Sequence, residues 1–208
     1  MKIRESASRD TVNLVTGVVL AGGAGRRMQG ADKGLLSVDG EASVARVARS
    51  LAPHCSYLLI SANRNIEEYK HLGIGEVISD QRPDFAGPLA GLEAVRGKAH
   101  TDVLVVAPCD LPHLTPSIYA DLLEALLSDP TLDAVYASCE SGPHYLCAAL
   151  RLHCLQTLPQ ILDDGVRAVR HWYATLHTRA VPFEEAKAEC FQNLNVPADW
   201  DDLRPKIH

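Results

Sequence analysis

Three stretches of this sequence hold residues whose types and spacing could bind and activate a polyphosphate. The first is Leu20-Ala-Gly-Gly-Ala-Gly-Arg-Arg-Met28, with Asp32-Lys33-Gly34 just after it. Glycines let a backbone approach phosphate oxygens, and consecutive N–H groups form an anion nest. Arg26 and Arg27 add guanidinium forks that match phosphate geometry, and Lys33 adds a compact charge. The second stretch is Ala107-Pro-Cys-Asp-Leu-Pro112. A carboxylate such as Asp110 can face phosphates if a hard cation lies between them. Mg²⁺ typically uses one or two carboxylates plus the phosphates themselves. A turn aspartate is the plainer alternative. The third stretch is Asn193-Leu-Asn195-Val-Pro-Ala-Asp199. Asn195 could cap a following helix or offer its amide to a ligand or a metal-bound water.

Two familiar phosphate motifs are excluded. No Gly-Lys-Ser/Thr closes the glycine loop, so it is not a P-loop. Met28 stands where a dinucleotide fingerprint wants glycine or alanine, and no acidic residue ends the second strand. The net charge of −6 excludes a general nucleic-acid footprint. Residues 1–50 nevertheless carry eight Lys/Arg against five Asp/Glu. That basic excess surrounds the glycine loop, a sensible place for a small polyanion.

Such residues need strands to carry them, and the pattern supplies these. Val15–Leu20 is a buried-strand run stopped by Gly22 and Gly23. Further strands are predicted at Tyr57–Ser61, Glu76–Ser79, Asp102–Ala107, Asp133–Ser138 and Tyr145–Leu150, with a late edge strand at Thr178–Val181. The Asp102–Ala107 run is apolar on both faces and is predicted to be central. Helical spacing appears over Ser43–Leu51, Ile66–Leu72, Pro88–Val95, Pro116–Leu127, Val166–Leu176 and Pro197–Leu203. Alternating strands and helices predict one α/β domain, a Rossmann-like three-layer sandwich with a mostly parallel mixed sheet. It runs over residues 15–208 after a flexible tail at 1–14. The three stretches then lie at carboxyl ends of strands, where open α/β sheets bind ligands.

With 208 residues, 47% of them hydrophobic and 22% charged, the chain has globular composition and can bury a sizeable core. No apolar run approaches the length of a membrane span. Six scattered cysteines, none in a C-x-x-C pair, read as reduced thiols and point to the cytoplasm. The grouping of Cys139, His144, Cys147, His153 and Cys154 does not repeat a zinc-ligand spacing.

Taken together, the blocks Leu-Ala-Gly-Gly-x-Gly-x-Arg-Met, Asp-Lys-Gly, Gly87-Pro-Leu-Ala-Gly91, Pro-Cys-Asp110 and Asn-x-Asn-x-Pro-x-Asp resemble nucleotidyltransferases of the glycosyltransferase-A-like fold. The nearest resemblance is to the molybdenum cofactor guanylyltransferases, over Gly17 to about Leu203. The resemblance implies transfer of GMP from GTP to the terminal phosphate of molybdopterin, with release of pyrophosphate and Mg²⁺ as cofactor. By matched position, Leu20, Ala21, Gly22 and Gly23 line the nucleoside, and Lys33 contacts the phosphates. Asn63 and Asp80 complete the nucleoside pocket, and Asp110 binds Mg²⁺. Arg27 faces the β- and γ-phosphates. Arg167, Asn193 and Asn195 lie on the pterin side. Where the family often has a His-Pro-Thr type segment, this chain has Pro143-His144-Tyr145.

A phosphate nucleophile is already ionised at neutral pH, so none of the nine histidines needs a catalytic role. A cytidylyl or sugar-phosphate transferase is one alternative. The cytidylyl relatives tend to have Leu-Ala-Ala-Gly, where Gly22 here leaves room for a purine. A non-catalytic nucleotide-binding adaptor is another, which would have no need of Lys33 and Asp110. The expected partners are the two substrates, with transient contact to molybdopterin-delivering proteins or apo-molybdoenzymes. Neither membrane nor nucleic acid is expected, and the chain is expected to be a monomer.

Overall fold

A computed structural model of the chain describes residues 15–22, 32–82, 87–184 and 189–193. The tail at 1–14 and the helix predicted over Pro197–Leu203 lie outside the described residues.

The strands are β1 (Val15–Leu20), β2 (Ser37–Val38), β3 (Glu41–Ala42), β4 (Tyr57–Ser61), β5 (Glu76–Ile78), β6 (Val103–Pro108), β7 (Ala134–Cys139), β8 (Gly142–Arg151) and β9 (Thr178–Pro182). The helices are α1 (Ser43–Leu51), α2 (Ile66–His71), α3 (Pro88–Val95), α4 (Pro116–Leu127), α5 (Leu158–Asp163) and α6 (Val169–Tyr173). Seven strands form one sheet in the order β5-β4-β1-β6-β8-β7-β9. β5, β4, β1 and β6 are parallel neighbours, β8 is antiparallel to both β6 and β7, and β7 is parallel to β9. The sheet is thus mostly parallel and mixed, with β6 at its centre and β9 at one edge.

β1 is buried at all six positions because both of its faces are covered. Val15 and Val19 face a core that includes Val47 of α1 and Leu122 of α4. Val18 and Leu20 face the other core, with Leu89 and Leu92 of α3, Leu162 of α5 and Trp172 of α6. These two cores make the three layers. Within the second, the Trp172 indole N–H donates to Thr157 Oγ1 at 2.9 Å, so a fully buried ring leaves no polar atom stranded. No described helix is long and apolar enough to cross a membrane.

Several boundaries differ from the sequence reading. The helix expected over Val166–Leu176 is confined to α6, because Gly165 at φ 82° closes α5 and an extended Ala168 precedes the new helix. A 3-10 stretch (Leu152–Thr157) and α5 occupy a region given no element from sequence. β8 begins at Gly142 instead of Tyr145, past a register shift between Tyr136 and Ala137. The β2–β3 hairpin turns on Asp39 and Gly40, both at positive φ.

Candidate active site

The chain runs from β1 outward to β4 and β5, then crosses back to β6 on the other side of β1. The reversal opens a crevice at the carboxyl ends of β1 and β6. Leu20 ends β1 and Ala21 follows it, each less than a tenth exposed. The Ala21 N–H donates to the Ser61 carbonyl at 2.8 Å, and the Cys109 N–H donates to the Leu20 carbonyl at 3.0 Å. The strand ends are therefore tied to one another just where the loops leave the sheet.

Four of the sequence-predicted residues follow neighbouring parallel strands: Asp80 after β5, Asn63 after β4, Gly22 after β1 and Asp110 after β6. Three strand spacings of about 4.8 Å make this a row roughly 14 Å long. The Asn63 side-chain amide donates to Asp80 Oδ2 at 2.7 Å, and its carbonyl accepts from the Asp80 N–H at 2.9 Å. Asp80 Oδ1 is buried with no hydrogen-bond partner among the described residues. Burial raises the Asp80 pKa above the usual carboxylate value, the Asn63 amide opposes this, and nearby Glu93 adds to it. A buried acceptor left open this way is a place for a ligand donor. A Cβ on Gly22 would meet Asn63 Nδ2 at 3.1 Å. The methyl that the sequence reading set against a purine therefore presses first on Asn63.

Lys33 lies in a 3-10 turn (Lys33–Leu35) capped by the Asp32 side chain. Its Nζ stands 3.5 Å from Asp110 Oδ2, with both side chains about one quarter exposed. A tight charge-assisted hydrogen bond would be about 2.7–2.9 Å, so this is a long electrostatic contact. The strand end and the turn thus bring together two groups 77 residues apart. Asp110 fits a divalent cation: it is a hard oxygen donor, open to the crevice, at a point where a polyphosphate would add its own oxygens.

Beyond Asp110 lies a cavity of about 460 Å³, walled by Pro108, His144, Tyr145, Leu146, Arg170 and Asn193 among others. That volume is in the range of small-molecule sites. The His144 ring lies tilted against Phe191 at 4.7 Å between ring centres, and its Nε2 lies 3.3 Å from both Cys139 Sγ and Ser141 Oγ. Burial lowers its pKa from the usual histidine value, with the Asp110 charge pulling the other way. Arg167 turns its Nη1 to the carbonyls of Leu162 and Val166, at 2.7 and 3.1 Å. The described arginine on the cavity wall is Arg170, three residues further on. Sequence reasoning passed over it. Its position on the first turn of a short helix that follows a glycine-closed loop is the signal that was available.

Gly23, Arg27 and Asn195 lie outside the described residues. The cysteines and histidines once grouped by sequence separate in space. Cys139 and His144 meet beside the cavity. His153 and Cys154 meet Asp133 at the opposite end of the sheet, where His153 Nε2 lies 3.0 Å from Asp133 Oδ1 and the Cys154 thiol donates to the Asp133 carbonyl at 3.3 Å.

Known proteins resemble this chain in sequence and in fold. Residues 17–180 match the family described as the MobA-like NTP transferase domain. A molybdenum cofactor guanylyltransferase of Burkholderia ambifaria is 39% identical over 199 residues, covering 91% of this chain and 93% of that one. One from Shewanella baltica is 35% identical, covering 93% of this chain and 97% of that one. The crystal structure of molybdopterin-guanine dinucleotide biosynthesis protein A from Archaeoglobus fulgidus superposes with a TM-score of 0.72, covering 90% of this chain and 96% of that one. At 23% identity, that likeness speaks for the fold. The long sequence matches carry the assignment further, and the chain belongs to the MobA-like NTP transferase family of nucleotidyltransferases.

Proposed function

We propose that this protein transfers GMP from GTP to the terminal phosphate of molybdopterin. A phosphate oxygen of the pterin attacks the α-phosphorus of GTP. The bond from that phosphorus to the bridging oxygen breaks, and pyrophosphate leaves. The nucleophile has a second pKa near 6 and is ionised at neutral pH, so no side chain need remove a proton. Positioning and neutralisation of charge then supply most of the rate.

The observation that carries the reading is Lys33 Nζ held 3.5 Å from Asp110 Oδ2 at the crevice between β1 and β6. In a family that transfers nucleotides, a lysine beside an aspartate at the crevice supports reading them as a phosphate contact and a metal ligand. The guanylyl choice rests on the relatives at 35–39% identity that bear that name. Asn63 and Asp80 receive the base, and the open Asp80 Oδ1 accepts from guanine N–H groups. Lys33, with Arg27 and the glycine N–H groups, holds the phosphates. Asp110 would hold Mg²⁺, which when bound neutralises charge on the triphosphate. Arg170 and Asn193 face the acceptor from the cavity wall, and Asn195 serves the same side.

The test is pyrophosphate release from GTP with and without molybdopterin, at varied Mg²⁺. Release that requires both supports the proposal. Binding of GTP with no release under any condition would favour the adaptor reading instead.

A further inference from the structure

The turn bearing Lys33 is fastened from one side by three side chains that the transfer chemistry does not use. Asp32 Oδ1 accepts from the Gly34 N–H at 3.2 Å and from the Tyr69 hydroxyl at 2.6 Å. Asp32 Oδ2 accepts from the Asn65 side-chain amide at 3.0 Å. Tyr69 is fully buried in α2, so its hydroxyl reaches the turn from a fixed base. The contact is close: a Cβ added at Gly34 would collide with the Tyr69 hydroxyl. Asn65 stands at φ 49°, and its side chain makes no cap bond to α2, the helix it precedes. The left-handed conformation that sends the amide to Asp32 is tolerated by asparagine better than by most residues.

The same segment begins at Asn63, which is bonded twice to Asp80. Residues 63–69 therefore brace both halves of the candidate nucleotide site, with Asn63 on the Asp80 side and Asn65 with Tyr69 on the Lys33 side.

We infer that Tyr69 and Asn65 are positioning residues for nucleotidyl transfer, acting through the Asp32 carboxylate to fix Lys33 opposite Asp110. This rests on the reading of Lys33 as a phosphate contact. Lysine has four side-chain torsions, so a shift of the turn carrying its Cα moves the ammonium off the charge it must meet. Misplacement by about 1 Å can cost up to ~10²-fold in rate.

The experiment is a double-mutant cycle on the full chain, with GTP and molybdopterin as substrates. Tyr69→Phe keeps the buried ring and removes only the hydroxyl. It should lower kcat roughly tenfold while KM for GTP changes by less than about twofold, the pattern of an interaction felt in the transition state. In a Lys33→Ala background the same change should cost less than about twofold, because the group it positions is gone. A purely structural role for Tyr69 would lower both backgrounds alike, and that result, or an unchanged kcat in Tyr69→Phe, would overturn the inference. If Lys33→Ala alone leaves kcat unchanged, the phosphate reading of Lys33 fails, and the positioning role falls with it. Asn65→Gly, which preserves the left-handed backbone, provides the same cycle at an exposed position should Tyr69→Phe fold poorly. A drop in kcat that disappears in the Lys33→Ala background supports the inference, and an undiminished one overturns it.

Discussion

Asn63 and Asp80 hold each other by two hydrogen bonds, one from the Asn63 amide to Asp80 Oδ2 at 2.7 Å and one from the Asp80 N–H to the Asn63 carbonyl at 2.9 Å. The pair crosses from the end of β4 to the end of β5 and leaves Asp80 Oδ1 without a partner among the described residues. A rigid pair with one open acceptor is suited to reading a base edge. Rigidity removes the option of turning away from a wrong base, and an unmet buried acceptor penalises any base that cannot donate to it.

That open oxygen makes Asp80 costly to the free protein. Burial raises its pKa, and a carboxyl shifted upward favours the fold when protonated. Its contribution to stability is present at low pH and is lost as pH rises through the raised value. Asp80→Asn, which carries no charge, should therefore gain in Tm over the parent as pH rises from about 4 to 7. GTP affinity should fall by roughly ten- to a hundredfold, the loss of a hydrogen bond to a charged acceptor. Thermal melts across that range, paired with GTP titration, check both. A Tm difference that is flat or shrinks with pH would contradict the account.

Base choice should depend on Gly22 through Asn63. A methyl at position 22 meets Asn63 Nδ2 at 3.1 Å, close enough that the amide must give way by a few tenths of an ångström. Gly22→Ala should disturb the Asn63–Asp80 pair and lower kcat/KM for GTP more than for CTP. It need not create a good CTP enzyme, since a pocket made to bond guanine leaves groups unpaired around cytosine at about 1–3 kcal/mol each. The ratio of kcat/KM values in both proteins is the readout. An unchanged ratio would separate Gly22 from base selection.

Asp110→Asn retains the shape of the side chain and removes the charge that recruits a hard cation. Turnover should fall by about 10²–10³-fold with Tm within a few degrees of the parent, and the residual activity should need more Mg²⁺. Normal turnover at limiting Mg²⁺ would remove Asp110 from the metal site.

The two arginines near the cavity should separate. Arg170 is on its wall, whereas Arg167 spends its guanidinium on the carbonyls of Leu162 and Val166. Arg170→Ala should raise KM for molybdopterin several-fold and leave that for GTP unchanged. Arg167→Ala should chiefly lower Tm, by removing the guanidinium bonds to the Leu162 and Val166 carbonyls. Steady-state kinetics in each substrate, together with melts, distinguish them.

The sheet was readable because its central strands are covered on both faces, which forces continuous apolar runs at Val15–Leu20 and Val103–Pro108. Harder to read were short elements that owe their shape to tertiary packing. α5 and the 3-10 stretch before it are organised by Leu155, Leu158 and Leu162 packing into the second core. The β2–β3 hairpin does carry a two-residue turn signal in the sequence, the Asp39-Gly40 pair, but its strands are too short to show a pattern of their own. In the candidate site, residue types were legible, but partnerships were not. Nothing local says that Lys33 meets Asp110 across 77 residues, or that Tyr69 reaches back 37 residues to Asp32. Those pairings come from the strand order, which only the fold supplies.

The most direct measurement of the central claim is incubation of the protein with molybdopterin, Mg²⁺ and each nucleoside triphosphate in turn, with the products resolved by mass. The account predicts the guanine dinucleotide from GTP, one pyrophosphate released per product formed, and little or no product from CTP. A cytosine dinucleotide formed in preference, or GTP consumed without a dinucleotide, would contradict it.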